Sequence, residues 1–426
     1  MLTRTLIRKT ARCSVSDKEP KNCGKMAARR IGVWNVKAVS TFQPRWIQIC
    51  STSSRLASTS APASFKASDL QIKRAEKSKP KPNVEDLVFG ANFSDHMLEI
   101  EYTPDKGWGK PVIAPFHNLS IHPGVKALHY AIELFEGLKA YHGVDSRIRL
   151  FRPMENMKRL LSTAERLCLP TFDGREFLTC IKKLVSIDRE WVPRSSESSL
   201  YIRPTFIGTE PVLGVSKSNS ALLYVLIGPV GPYFKTGFKP VSLLADPQFV
   251  RAWPGGVGGY KTASNYGPTV YVSDYAAQKG CQQVLWLFGN DHQLTEVGTM
   301  NLFTFWVNEQ GEKELVTAPL NGLILPGIIR KSLLELARKW REFKVTERNY
   351  TMAEVQKALT ENRLLEMFGS GTACVVCPVE KILYNEEWLK IPDVKDKKSL
   401  TKRFLEELTD IQYGKVPHEW TETLDD

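Results

Sequence analysis

The chain reads as a mixed α/β protein built from two domains. Three observations predict this. At 426 residues it is too long for one ordinary hydrophobic core. Its apolar residues recur at two periods. Phe177, Leu178, Ile181, Leu184, Val185 and Ile187 stand near helical spacing, whereas 199–204, 221–227 and 284–288 are strand-like runs. Directly after the 221–227 run lies a stretch rich in glycine and proline, 228–237, where a domain boundary is expected. The expected organisation is a basic N-terminal segment over 1–62, a Lys/Pro-rich surface linker over 63–88 and a smaller α/β domain over 89–229. A connector over 230–238 then leads to a larger domain over 239–426. Active sites favour domain interfaces, so the site is expected between the two.

In the first domain, 97–102 alternates like a strand and ends in a turn at 104–107. Residues 129–135 follow a helical pattern with Gly137 near its end. Ala140-Tyr141 and 148–151 pair around Gly143-Val144-Asp145 as a hairpin. Helices are expected over about 153–167 and 174–191, then strands at 199–204 and 221–227. The second domain opens with a strand at 241–245 and a glycine-rich loop. A helix to about Lys279 follows, with Asn265 as its N-cap and Pro268 in its first turn. Residues 284–288, 294–297, 302–307 and 314–317 read as successive strands. Pro326-Gly327 starts a helix to about Phe343, and a shorter helix lies at 352–359 ahead of Gly369-Ser370-Gly371-Thr372.

Composition is that of a globular protein, 42% hydrophobic and 24% charged. The net charge of +12 suggests an acidic partner, but its distribution argues otherwise. Residues 1–66 carry thirteen Lys/Arg against Asp17 and Glu19, leaving 45 basic and 44 acidic residues for the remainder. A nearly neutral body gives no case for a nucleic-acid surface. The first segment is rich in Arg and Ser/Thr, poor in acids, and has only short apolar patches such as Val33-Trp34. It reads as a transit peptide to the mitochondrial matrix, the alternative being a disordered basic tail. A secretory signal would need a continuous apolar core of about 7–15 residues. No apolar run approaches the ~18 residues of a membrane span. Cys168, Cys180 and Cys281 read as buried structural thiols, and seven scattered histidines show no metal-ligand spacing.

The second domain is organised around Gly255-Gly256-Val257-Gly258-Gly259-Tyr260-Lys261. Taken alone, Lys261 is a solvated lysine beside a flexible loop. A phosphate-cradling P-loop needs glycine where Tyr260 stands, and must follow a strand directly; here 246–251 intervenes. A third reading is a lysine that forms a Schiff base with a cofactor aldehyde. It requires an acid for a pyridine nitrogen and donors for a phosphate. Glu296, in Glu296-Val297-Gly298-Thr299-Met300-Asn301, is the candidate acid.

These two motifs, in this order, resemble the fold-type-IV pyridoxal-phosphate (PLP) enzymes, and among them the branched-chain amino-acid aminotransferases. Phe135-Glu136-Gly137, Tyr201-Ile202-Arg203-Pro204 and Cys374-Val375-Val376-Cys377 extend the resemblance from about Phe89 to the C-terminus. It implies a barrel-like sheet in the larger domain, a homodimer, and transfer of an amino group between Leu, Ile or Val and 2-oxoglutarate. Lys261 would hold PLP and move the α-proton, Glu296 would face the ring nitrogen, and Tyr266 would donate to the phenolic oxygen. The amides of Ile328 and Ile329 at a helix N-terminus, Gly371, Thr372 and Arg159 would take the phosphate. Phe93, Tyr130 and Tyr201 would wall the side-chain pocket, with Arg203 serving glutamate's distal carboxylate. Thr299 and the backbone of Ala373 would bind the α-carboxylate. A C-x-x-C can be redox-active, metal-binding or inert; the resemblance implies a thiol switch at Cys374 and Cys377. A D-amino-acid aminotransferase, an aminodeoxychorismate lyase and a non-catalytic binding relative are the alternatives.

Overall fold

In the computed structural model the described residues are 64–231, 240–392 and 399–424. The expected presequence and nearly all of the expected connector lie outside them.

Two sheets dominate. The first has ten strands and runs Gln71–Ile72, Val112–Pro115, His96–Thr103, Ala221–Val230, Ser199–Gly208, Leu138–His142, Ile148–Phe151, Thr421–Thr423. Gly107–Trp108 and Glu133–Phe135 pair at its side. The helices Pro153–Arg166 and Gly174–Ile187 cover it. Each presents one apolar stripe: Met157, Leu160 and Ala164 on one, Phe177, Ile181 and Leu184 on the other, all packed into one core with the sheet. Asp173 starts the second helix by accepting from the amides of Arg175 and Glu176.

The second sheet has nine strands. Six close on themselves in the order Gln293–Val297, Gln283–Phe288, Val241–Ala245, Val375–Tyr384, Leu364–Gly371, Met300–Val307, with the last pairing back to the first. This is the expected barrel-like sheet. The helix Ile328–Trp340 and the helix Leu400–Gln412 pack on it through Leu333, Leu336, Phe404 and Leu408 against Phe303 and Phe368.

The two sheets are stitched together at the lysine loop. Thr262 bridges Leu134, the Phe135 amide donates to the Lys261 carbonyl at 3.2 Å, and the Lys261 amide donates to Thr163 Oγ1 at 3.2 Å. The C-terminal strand then returns to the first sheet beside Ile148–Phe151.

Several expectations are corrected. The 129–135 helix is instead a short helix, Lys126–Tyr130, stopped by Ala131 at φ 50°, followed by the strand Glu133–Phe135. A left-handed residue ends the helical ladder, and the next residues find partners in Ser199–Gly208. The second first-domain helix stops at Ile187, and Arg189–Trp191 continues as a 3-10 turn. Asn265 does not cap the following helix, Thr269–Gln278. Its side-chain amide donates to the carbonyls of Val257 and Tyr260 at 2.7 and 2.9 Å, closing the glycine loop. The 63–88 stretch is not only a surface linker. Phe65 is 4% exposed and sits among Trp108, Phe172 and Phe177. The stretch 228–230, read as part of the turn-rich connector, completes the strand Ala221–Val230.

Candidate active site

A cleft of about 220 Å³ opens between the two sheets. The glycine loop leads into it, and its backbone packs where no side chain fits. A Cβ on Gly258 would lie 2.5 Å from the Ala252 Cβ and 2.6 Å from the Gly322 carbonyl. The loop delivers Lys261, whose Nζ lies 3.2 Å from the Tyr266 hydroxyl and 4.8 Å from the centre of the Phe135 ring.

Glu296, 2% exposed, closes one end. Its Oε1 accepts from Asn301 Nδ2 at 3.0 Å and from the Leu325 amide at 2.9 Å, and its Oε2 meets Arg251 Nε at 3.0 Å. Burial pushes its carboxyl pKa up, and Arg251, the Leu325 amide and Lys261 only partly offset this.

At the other end stands a second buried glutamate, Glu136. Its carboxylate takes Arg159 in a two-point grip, Nε to Oε1 at 2.7 Å and Nη2 to Oε2 at 2.8 Å. Asn156 Nδ2 adds a third bond at 2.8 Å. Burial raises the Glu136 pKa, but Arg159 first, then Lys261 and Asn156, outweigh burial and leave it below the usual glutamate range. Arg159 Nη1 also donates to the Pro326 carbonyl at 3.2 Å. That places the guanidinium beside the start of the Ile328–Trp340 helix, where Gly327 is an N-cap without a side-chain cap. The amides of Ile328 and Ile329 belong to the first helical turn, whose N–H groups have no partner within the helix. Only glycine fits at 327, since a Cβ would lie 2.0 Å from Asn301 Oδ1.

The first-sheet wall is Phe89, Phe135, Tyr201 and Arg203. Arg203 Nη2 donates to the Tyr201 hydroxyl at 2.9 Å, and its Nε is buried without a partner. The opposite wall is Thr299, Ser370 and the 371–374 turn. Ser370 Oγ is likewise buried and unpartnered.

The structure therefore brings Lys261, Tyr266, Glu296, Arg159, Tyr201, Arg203, Thr299 and the expected backbone groups to one cleft. It does not bring Phe93 or Tyr130. Both are 36% exposed; Phe93 stacks on Phe116, and the Tyr130 hydroxyl donates to the Leu213 carbonyl. Cys374 lines the cleft with Sγ 3.1 Å from Met300 Sδ, while Cys377 is buried behind it. Burial pushes the Cys374 thiol up to about 12 and Cys377 also upward. Sequence reasoning missed Arg251, Asn301 and the role of Glu136. Glu136 stood inside a quoted motif, and Asn301 ended another.

The model of the family "Amino-transferase class IV" matches residues 133–382. The chain belongs to the class IV aminotransferase family. This aminotransferase is 58% identical over 361 residues to the cytosolic branched-chain-amino-acid aminotransferase of Ovis aries, covering 84% of this chain and 94% of the relative. It is 56% identical over 362 residues to the mitochondrial one of Bos taurus, covering 84% and 92%. Among solved structures it resembles the branched-chain amino acid aminotransferase of Escherichia coli. The TM-score is 0.61 at 21% identity, over 78% of this chain and 99% of that one. The Thermoproteus uzoniensis enzyme with norvaline gives the same TM-score at 21% identity, over 77% and 99%. Those likenesses extend the fold assignment.

The cleft residues fit a pyridoxal phosphate. A primary amine, a phenol and a buried carboxylate converge on one side. Unsatisfied helix amides, an arginine and an orphaned serine hydroxyl stand on the other. Among the described residues, no helix is long and apolar enough to cross a membrane, and no three potential metal ligands cluster.

Proposed function

We propose that this aminotransferase moves the amino group between L-leucine, L-isoleucine or L-valine and 2-oxoglutarate, giving branched-chain 2-oxo acids and L-glutamate, with pyridoxal phosphate held by Lys261. The observation that carries it is the convergence of Lys261, Tyr266 and Glu296 on one cleft, in a chain 56–58% identical to the branched-chain relatives above. When bound, the cofactor takes up the amino group and draws electrons from the reacting carbon.

The chain's own residues do the rest. Lys261 would hold the cofactor, and its Nζ, when not engaged there, would carry the α-proton. The Tyr266 hydroxyl orients that nitrogen from 3.2 Å. Glu296 would face the ring nitrogen, where its carboxylate would favour a proton on that nitrogen. Arg159, Thr372 and the amides of Ile328 and Ile329 take the phosphate. Thr299 and the Ala373 amide take the α-carboxylate. Tyr201, Phe89 and Phe135 give an apolar wall for leucine, and the open Nε of Arg203 a donor for glutamate's distal carboxylate.

Three further elements belong to the proposal. Phe93 and Tyr130 serve the cleft of a second copy in a homodimer. This is supported by the exposure of both side chains, and by the contact of Tyr130 with Leu213, itself exposed; a monomer by light scattering would refute it. The acid-poor first segment directs the protein to mitochondria, and import unaffected by its removal would refute that. Cys374 and Cys377 act as a thiol switch, two thiols closing to a disulfide as peroxide is reduced to water and shifting the 371–374 turn. With Cys374 held up to about 12 the reaction is slow at pH 7. Inactivation by peroxide that persists in Cys374→Ala and Cys377→Ala would remove the switch.

The deciding experiment is an absorbance spectrum with and without leucine, beside Lys261→Ala. A visible band that moves to the near-ultraviolet with leucine, and does not in the variant, is expected. A protein that stays colourless after incubation with pyridoxal phosphate would overturn the proposal.

A further inference from the structure

Lys139 lies on the strand Leu138–His142, opposite Tyr201 of the cleft wall. It is 8% exposed, and among the described residues no carboxylate stands within ion-pair distance of it. Its Nζ makes one hydrogen bond, to the carbonyl of Ala373 at 2.9 Å. An ammonium has three donors. Buried with one acceptor and no counter-ion, it costs stability that a methionine of similar length would not. Burial accordingly pulls its pKa down to about 8, with Cys374 the neighbour that opposes this. Costs of this kind are met where function requires them.

The acceptor indicates the function. Ala373 sits between Thr372 and Cys374, and all three line the cleft. A peptide unit is planar, with its C=O and N–H on opposite sides. The Ala373 carbonyl held toward the first sheet therefore turns the N–H of the same peptide unit, that of Cys374, the other way, and anchors the turn in which the Ala373 N–H sits. We infer that Lys139 is a positioning residue for the substrate α-carboxylate. It clamps the Ala373–Cys374 peptide and so holds in place the 371–374 turn whose residues line the cleft, and it stands as a positive charge behind that turn. Both substrates of a transamination carry that carboxylate, so both half-reactions depend on the clamp. The inference rests on the proposed assignment of the α-carboxylate to Thr299 and the Ala373 backbone.

The test compares the holoenzyme with Lys139→Met, which removes donor and charge, and Lys139→Gln, which keeps a donor without charge. The probes are 4-methylpentanoate and its uncharged amide, 4-methylpentanamide, measured as inhibitors of leucine transamination, with cofactor affinity and melting temperature read alongside. In Lys139→Met the inhibition constant of the acid should rise about tenfold and that of the amide less than about twofold. Cofactor affinity should hold and the melting temperature should not fall. Lys139→Gln should lie between. Equal weakening of acid and amide would reduce Lys139 to a structural residue, and no change in either would leave it without a role at the cleft; both outcomes overturn the inference. An unaltered enzyme that binds acid and amide equally would overturn instead the carboxylate assignment beneath it.

Discussion

The two ends of the cleft each hold a fully buried glutamate facing an arginine, and the two carboxylates are bound in opposite senses. At one end Arg159 grips both oxygens of Glu136, Asn156 adds a donor, and the pKa falls below the usual range. At the other, Arg251 meets a single oxygen of Glu296, and burial wins. Lys261 favours the ionised form at both. Burial is therefore not what distinguishes the two; the number and geometry of the charged donors is. The Glu136 end is a closed ion pair that fixes Arg159 beside the helix start. The Glu296 end keeps a carboxyl with unspent affinity for a proton, and so can exchange one with a ligand.

The largest expected contrast is in stability. Glu136→Gln leaves Arg159 buried without a full counter-charge and should cost about 3–5 kcal/mol in denaturant unfolding. Glu296→Gln removes a carboxylate whose burial is already disfavoured and leaves Arg251 bonded to the Leu323 carbonyl at 3.1 Å. It should cost under about 2 kcal/mol. Equal losses would break the contrast. In rate the order reverses. Glu296→Gln should lower kcat about 10²–10³-fold by removing preorganised charge from the reacting system. Glu136→Gln, where it folds, should act first on cofactor affinity.

Much of this cleft was legible because its chemistry is carried by short runs of sequence. Lys261 and Tyr266 share one loop with its glycines, and Glu296 and Thr299 share one strand and turn. Arg251 was not legible. It lies in a stretch that separates a strand from the lysine loop, and only the return of the chain through Leu323 and Leu325 puts it against Glu296. The Glu136–Arg159 pair joins residues 23 apart on a strand end and a helix. Periodicity marks each element but not their meeting. Asn265 misled for a related reason: a polar residue before a helix suits an N-cap, yet here two loop carbonyls compete for it and win. The barrel closure, too, depends on the pairing of Gln293–Val297 with two neighbours, which no single strand pattern encodes.

The smallest expected effect is the sharpest test of the comparison, because it has opposite signs at the two ends. Glu136 binds its proton less readily folded than unfolded. Its contribution is present above the ordinary glutamate value of about 4.3 and is lost as pH falls through the lower folded value. Glu296 binds its proton more readily folded than unfolded. Its contribution is fully present below about 4.3 and is lost as pH rises through the higher folded value. Relative to Glu136→Gln, the unaltered protein should lose its stability advantage on acidification. Relative to Glu296→Gln it should gain advantage as pH is lowered from 7 toward 5. Stability curves of the three proteins over pH 3.5–8, without added cofactor, check this directly. Parallel shifts in the two variants would mean that the carboxylates are held alike, and that the proton-exchanging end of the cleft must be sought elsewhere.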